Sequence, residues 1–198
     1  WVRLHYGYPE GMTEELLEVM AAQEKICHYF DIPIQHCSDA VLKRMGRRCT
    51  RAELVRLFAA IRQKMPDAVL RTSLIAGFPG ETDEQFDELC EFVRQVKFDR
   101  VGVFAYSREE GTPAARMDGQ LDESVKEARR DRLMELQKDI SLAKNRQNWD
   151  GRLRRWSKGS IPNNACTMAE PMPTRLRSTA GSILEAVRSW RTGCLSRS

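Results

Sequence analysis

The sequence predicts an α/β fold in which parallel strands form part of a barrel or an open sheet. Short apolar strands alternate with amphipathic helices, polar or glycine-rich segments follow three of the strands, and the pattern changes in kind after residue 147. Alternation of this length favours parallel strands joined by right-handed crossovers, with the helices on the outside. The predicted parts are a barrel portion at 1–120, a long bracing helix at 121–147 and a basic tail at 148–198.

The predicted elements follow from caps and apolar spacing. An opening strand is expected near Val2–Tyr6, and Thr13 can cap a helix through about Ala22. Further strands are expected at 30–34, 68–76 and 100–105, and helices at 39–45, 51–65 and 83–96, with a long helix from residue 122. The pairs Thr50/Glu53 and Thr82/Gln85 fit capping boxes at two of these helices.

The stretch at residues 71–82 is the most informative, because an apolar strand leads through a glycine-proline turn directly into a capped helix. Gly77 and Gly80 lack a Cβ where the chain bends sharply or a flat ligand approaches the backbone. Polar segments also follow the two neighbouring strands, at residues 35–36 and 106–113. In parallel α/β barrels the active site lies at the carboxyl ends of the strands. The sequence therefore predicts a site at this edge of the sheet.

Composition limits the class of protein. The six cysteines lie far apart, without the close spacing typical of zinc or iron-sulfur ligands, and are interpreted as reduced thiols. No apolar run approaches the roughly 20 residues that span a bilayer, and the start lacks a signal-peptide pattern. We expect a cytoplasmic chain that is cut at its N-terminus and has no membrane partner.

The positive net charge belongs to the tail. Residues 148–198 contain nine Lys/Arg and three Asp/Glu, whereas the whole chain has a net charge of only +4. One alternative interpretation is therefore a nucleic-acid-binding protein without catalysis, whose basic tail contacts RNA phosphates.

Three ordered stretches resemble the radical SAM methylthiotransferases: DIPIQH at 31–36, LIAGFPGET at 74–82 and FAYSREEGTPA at 104–114. The form SREEGT at 107–112 resembles the branch that modifies an aspartate of small-subunit ribosomal protein S-twelve. The tRNA-modifying branch, which stays open as an alternative, more often carries a different loop there. The resemblance extends over residues 1 to about 147.

The resemblance implies an enzyme with an N-terminal cluster domain, a partial radical SAM (TIM-like) barrel and a C-terminal β domain. Its cofactors would be S-adenosylmethionine and two 4Fe-4S clusters, reduced by an electron donor. A radical made from S-adenosylmethionine would remove hydrogen from the aspartate β-carbon, and sulfur and a methyl group would follow. The implied partner is ribosomal protein S-twelve or the small ribosomal subunit.

The resemblance also implies which residues form the site, although it assigns no catalytic residue. The implied cofactor-binding residues are Arg71, Ser73, Gly77, Glu81, Phe104, Ala105 and Tyr106. Gln35 and His36 are the implied substrate-facing residues. A structural role stays open for three of them: Glu81 as a partner of the helix N-terminus, Tyr106 as a core residue and His36 as a residue that orients a loop.

The cluster cysteines of this family would precede Trp1, and none of the six cysteines matches their pattern. No metal ligand is therefore assigned, and we expect a fragment that cannot start the radical reaction alone. An incomplete product without a stable fold, with an exposed sheet edge, is a further alternative.

The tail does not resemble the C-terminal β domain of the family. When the codons are read one base out of frame, the pairs 149–150, 168–169 and 172–173 must give Gly, Gly and Ala, and permitted wobble choices make the segment similar to that domain. The tail is therefore interpreted as an out-of-frame remnant that begins near Gln147.

Overall fold

A computed structural model describes residues 1–156, with side chains up to residue 146. Most of the predicted basic tail, and with it most of the frameshift hypothesis, lies outside the described residues. The helices and strands in chain order are α1 (Glu14–Ala22), β1 (Tyr29–Asp31), α2 (Asp39–Arg44), α3 (Arg51–Lys64), β2 (Val69–Ala76), α4 (Asp83–Val96), β3 (Arg100–Ala105) and α5 (Glu123–Trp156). Two short 3-10 helices cover Pro9–Gly11 and Ala114–Arg116.

The described strands form one parallel sheet in the order β1-β2-β3, which confirms the predicted α/β class. The prediction of an opening strand near Val2–Tyr6 is wrong, because that segment makes only an isolated bridge between Val2 and Ile26. β1 is also shorter than expected, and a second isolated bridge joins Gln35 to Leu74 beyond its end.

Both predicted capping boxes are present. The Thr50 and Thr82 hydroxyls accept hydrogen bonds from the backbone of Glu53 and Gln85, whose side chains accept from the backbone N–H of the two caps. Each box satisfies orphan N–H groups at a helix start. The local signal therefore fixes where α3 and α4 begin.

The described helices cover mainly one face of the sheet. Along β2, Leu70, Thr72, Leu74 and Ala76 are buried. The intervening residues of β2 are only partly buried, so they face the opposite side. The buried face packs on a core that includes an edge-to-face pair of Phe58 and Phe98, with ring centroids 4.9 Å apart. We call the opposite side the open face; it is defined by Arg71, Ser73 and Ile75.

α5 runs along the sheet and extends past the boundary predicted at residue 147. Its Leu133 lies fully in the core, and the Gln137 amide donates to the Phe98 carbonyl at 2.9 Å. Near its end, Lys144 pairs with Asp99 at 2.9 Å. None of the described helices is long and apolar enough to cross a membrane.

Candidate functional site

The carboxyl ends of the three strands lie side by side. The Gln35 N–H donates to the Ser73 carbonyl at 3.0 Å, and the Gln35 carbonyl accepts from the Ile75 N–H at 2.8 Å. One strand further, the Tyr106 N–H donates to the Ala76 carbonyl at 2.9 Å. The three polar segments that follow the strands are therefore neighbours at one edge of the sheet.

A groove of about 190 Å³ opens beside this edge on the open face. Its lining residues are Tyr6, Gly7, Tyr8, Pro33, Gln35, Arg47 and Ser73. The structure thus brings two sequence-predicted residues, Gln35 and Ser73, into one groove. Phe104 does not line this groove, but it pairs with Ile75 in the sheet and exposes 59% of its surface on the same face. Ala105, next to it on β3, is partly buried.

Arg71 also lies on the open face, where its charge is already balanced. Its guanidinium pairs with the buried Asp31 carboxylate at 2.5 Å, and the His5 ring lies 3.7 Å from the other oxygen of that carboxylate. An exposed ligand would therefore meet an ion pair here rather than a free cation.

Gly77 turns the chain out of β2 with a φ of +75°, a conformation that favours glycine. A Cβ at this position would lie 2.4 Å from Lys126 Cγ and 2.9 Å from Lys126 Cβ, so the glycine lets α5 approach the turn. The Gly77 N–H points at the Glu81 carboxylate, with its nitrogen 3.1 and 3.2 Å from the two oxygens. Contact with Lys126 of α5 and the hydrogen bond to Glu81 therefore both hold the turn in place.

Glu81 and His36 lie in the interior rather than on the groove. His36 is fully buried, and its Nδ1 accepts the Ser38 N–H at 3.0 Å, so a neutral ring carries its proton on Nε2. This Nε2 lies 3.4 Å from Glu81 Oε2. Glu81 Oε1 accepts from Arg129 at 2.7 Å, and Arg129 also reaches Asp83 at 2.6 Å. A ligand on the open face does not reach His36 or Glu81 in this arrangement.

Tyr106 forms part of a small apolar cluster at the strand ends. Its ring meets Phe78 edge to face at 5.3 Å, and the Lys126 ammonium lies 5.5 Å from the ring centroid. Tyr106 is 8% exposed, and its hydroxyl has no hydrogen-bond partner among the described residues. Tyr106 is therefore a buried member of this cluster, and its backbone is fixed by β2.

Three of the cysteines that the structure describes do not suit an iron-sulfur cluster. Cys37, Cys49 and Cys90 are buried, and burial raises the pKa of each thiol, which keeps them protonated at neutral pH. A cluster binds thiolates. Within the described residues, no three His, Cys, Asp or Glu side chains are grouped so that they could hold a metal ion.

Sequence reasoning missed two arginines near the site. Arg129 holds Glu81 from a helix 48 residues further along the chain. Arg47 reaches the groove from the loop between α2 and α3, directly after Gly46, whose φ is +71°. The glycine signals a turn, but no local pattern distinguishes Arg47 from Arg48, the other arginine of that loop.

Parallel strands with polar groups at their carboxyl ends define an α/β domain of the kind that binds ligands at this edge of its sheet. The sequence pattern of the Radical SAM superfamily matches residues 1–93.

Among its relatives is the ribosomal protein uS12 methylthiotransferase RimO of Lachnoclostridium phytofermentans, 55% identical over 142 residues, which are 72% of this chain and 32% of the relative. The proteins of the same name from Geobacter sulfurreducens and Clostridium perfringens are each 52% identical, over 74% and 71% of this chain and 33% and 32% of theirs. The predicted resemblance is confirmed, and the chain spans about a third of the length of these curated relatives.

Proposed function

We propose that this chain is the part of a radical SAM methylthiotransferase that holds S-adenosylmethionine against the open face of its sheet. The whole protein would methylthiolate the β-carbon of an aspartate in ribosomal protein uS12. The observation that carries this proposal is the identity of 52–55% to proteins named for that reaction. The free polar groups at the strand ends agree with it.

In the proposed architecture, the sheet of this chain is one part of a larger barrel. Residues 1–120 would form the C-terminal portion of a partial βα barrel, with the open face as its interior and residues 121–147 as a bracing helix. Residues 148–198 would be an out-of-frame remnant of a substrate-binding β domain. The exposed Phe104 ring on the open face supports a barrel interior, because an exposed large apolar side chain in a sheet is commonly covered by another part of the protein.

The residues of the open face would hold S-adenosylmethionine by different contacts. The exposed ring of Phe104 offers a flat surface for the adenine, beside Ala105 and Tyr106. The Ser73 hydroxyl, which has no hydrogen-bond partner among the described residues, would bond polar atoms of the cofactor, and the turn at Gly77 would border the cofactor at the end of β2. When bound, S-adenosylmethionine supplies the radical and the methyl group.

Two predicted residues would act indirectly. Glu81 holds the Gly77 N–H, while His36 and Arg129 contact Glu81 from either side. They would keep the turn in position rather than touch the ligand. Arg71, paired with Asp31, would present its ion pair at the floor of the open face. The iron-sulfur clusters, two in number, the electron donor and the cytoplasmic location belong to the proposal for the whole protein.

A chimera tests the proposed function. The matched 142-residue segment of the Lachnoclostridium phytofermentans relative would be replaced by the corresponding residues of this chain. The chimera would be expressed in cells without their own enzyme, and ribosomal protein uS12 would be examined by mass spectrometry. We expect one methylthio group on an aspartate. An unmodified uS12 from a folded, cluster-loaded chimera, or methylthio groups on tRNA instead, would refute the proposal.

A further inference from the structure

We infer that the groove beside Gln35 is a binding site for a carboxylate, with Arg47 as its anchor, and that it receives the side chain of the substrate aspartate. The inference rests on the proposed function and specifies which group of the substrate is recognised. The groove contains one positive side chain, Arg47, and no acidic one.

Arg47 is the cation that makes the groove suitable for an anion. It forms no ion pair with any residue that the structure describes, and its guanidinium carbon lies 5.8 Å from the centroid of the Tyr8 ring. Arg62 and Arg71, by contrast, each pair with a carboxylate at 2.8 and 2.5 Å. A guanidinium held on an aromatic ring keeps its planar fork free for a carboxylate, which it binds by two parallel hydrogen bonds.

Gln35 and Ser73 add uncharged polar groups to the same groove. Neither side chain has a hydrogen-bond partner among the residues that the structure describes, although both are partly buried. Partly buried polar groups in proteins usually have partners. An amide and a hydroxyl can both donate to a carboxylate that Arg47 has already attracted.

The backbone of Gln35 supports this assignment independently. Its φ is +71°, in the left-handed region that a glutamine rarely adopts. Two backbone hydrogen bonds to β2, at 3.0 and 2.8 Å, hold it there. Strained residues of this kind persist where the surroundings determine them, and they are concentrated at binding sites. Here Gln35 lies in the groove, and the next residue, His36, is buried in the interior.

The size of the groove favours a small group. Its volume of about 190 Å³ is below the roughly 300 Å³ at which pockets for drug-sized ligands begin. Tyr6 and Tyr8, 75% and 66% exposed, stand at its entrance, where they could contact the peptide on either side of the aspartate. The other source of a carboxylate is the methionyl group of S-adenosylmethionine, and the test distinguishes the two.

The test measures binding to the full 198-residue chain by NMR titration with three probes. These probes are N-acetylaspartate N-methylamide, its asparagine counterpart and S-adenosylmethionine. The variant is Arg47→Gln, and the matched control is Arg48→Gln, since Arg48 is an exposed neighbour that lines a different groove. Arg47→Lys keeps the positive charge but not the planar guanidinium that can donate two parallel hydrogen bonds. Circular dichroism checks that every variant is folded.

We expect Arg47→Gln to weaken the blocked aspartate about tenfold or more, to the level of the blocked asparagine, because a hydrogen-bonded charge is lost. Arg47→Lys should be intermediate, and Arg48→Gln should bind as the parent chain does. Binding of S-adenosylmethionine should stay within about twofold in every variant. The inference is overturned if the parent chain does not bind the blocked aspartate, if asparagine binds equally well, or if Arg47→Gln weakens only S-adenosylmethionine. If the aspartate results hold but S-adenosylmethionine never binds, the proposed cofactor site is wrong and the carboxylate groove stands.

Discussion

The strongest test of how the site is held concerns Arg129, which contacts two carboxylates in different surroundings. It reaches Glu81 at 2.7 Å and Asp83 at 2.6 Å. The Glu81 side chain is fully buried, whereas 88% of the Asp83 side chain is exposed. The two distances are nearly equal, so burial alone should decide which pair stabilises the fold.

The expected magnitudes follow from this contrast. Removing one partner of a buried pair costs about 3–5 kcal/mol, because the other charge is left without compensation. Glu81→Gln should lower the free energy of unfolding by about 3 kcal/mol, at the lower end of this range. The loss is limited because Asp83 still faces Arg129 and the new amide oxygen can still accept from the Gly77 N–H. Asp83→Asn should cost at most about 1 kcal/mol, as exposed pairs do.

The assay is urea denaturation at neutral pH, followed by circular dichroism. The free energies of unfolding are compared for the parent chain, Glu81→Gln and Asp83→Asn. The slope of the unfolding free energy against urea concentration should be the same for all three proteins. Losses that agree within about 0.5 kcal/mol would refute the reasoning, because they would show that burial does not separate the two pairs. A larger loss for Asp83→Asn would reverse it.

Three further predictions concern the pair of Asp99 with Lys144 of α5, the turn at Gly77 and the open face. Asp99→Asn should cost about 2 kcal/mol at pH 7 in urea denaturation, because the carboxylate accepts from the Leu70 N–H and from Lys144. Burial opposes the ionised form of Asp99, but these hydrogen bonds outweigh it and lower its pKa, so its stabilisation is present above about pH 4 and is lost as the pH falls through the lowered pKa. Gly77→Ala should cost more than about 2 kcal/mol in the same assay, because its φ is positive and the added Cβ meets Lys126. Phe104→Ala should leave stability within about 0.5 kcal/mol and weaken S-adenosylmethionine about fivefold by equilibrium dialysis.

Each of these has a control. The difference between the parent chain and Asp99→Asn should shrink at acid pH, and a difference that is constant from pH 7 to pH 2 would contradict the role of the charge. Gly111→Ala is the match for Gly77→Ala, because Gly111 also has a positive φ, +83°, but has open space around it. Equal losses at the two glycines would show that contact with α5 is unimportant. Unchanged cofactor binding in Phe104→Ala would remove that ring from the site.

Much of the fold could be predicted because its signals are local. The bounds of α4 and β3 agree with the sequence-based prediction, since a capping box starts the helix and a short β-branched run forms the strand. The opening strand could not be judged locally. Residues 2–6 have strand-like composition, but a strand also needs a partner, and Ile26 offers a single bridge.

The candidate site was harder to predict, because position at a strand end does not specify which way a side chain points. Burial alternates at the end of this strand: Ile34 and His36 are buried and Gln35 between them is only partly buried, so Gln35 and His36 do not face the same side. Glu81 is buried because Arg129 arrives from a distant helix. Arg47 enters the groove through a loop whose path depends on tertiary packing. Such long-range contacts leave no periodic signal in the sequence.

The central claim is that S-adenosylmethionine lies on the open face of the sheet. Photo-crosslinking of the full chain with an azido-adenine analogue of S-adenosylmethionine, followed by peptide mass spectrometry, tests it most directly. We expect unlabelled S-adenosylmethionine to protect against labelling, and the label to fall on residues 100–106 or on the turn at 77–81. A label confined to the groove between α1 and α3, which Glu10, Arg48 and Lys64 help to line, would show that S-adenosylmethionine does not bind the open face.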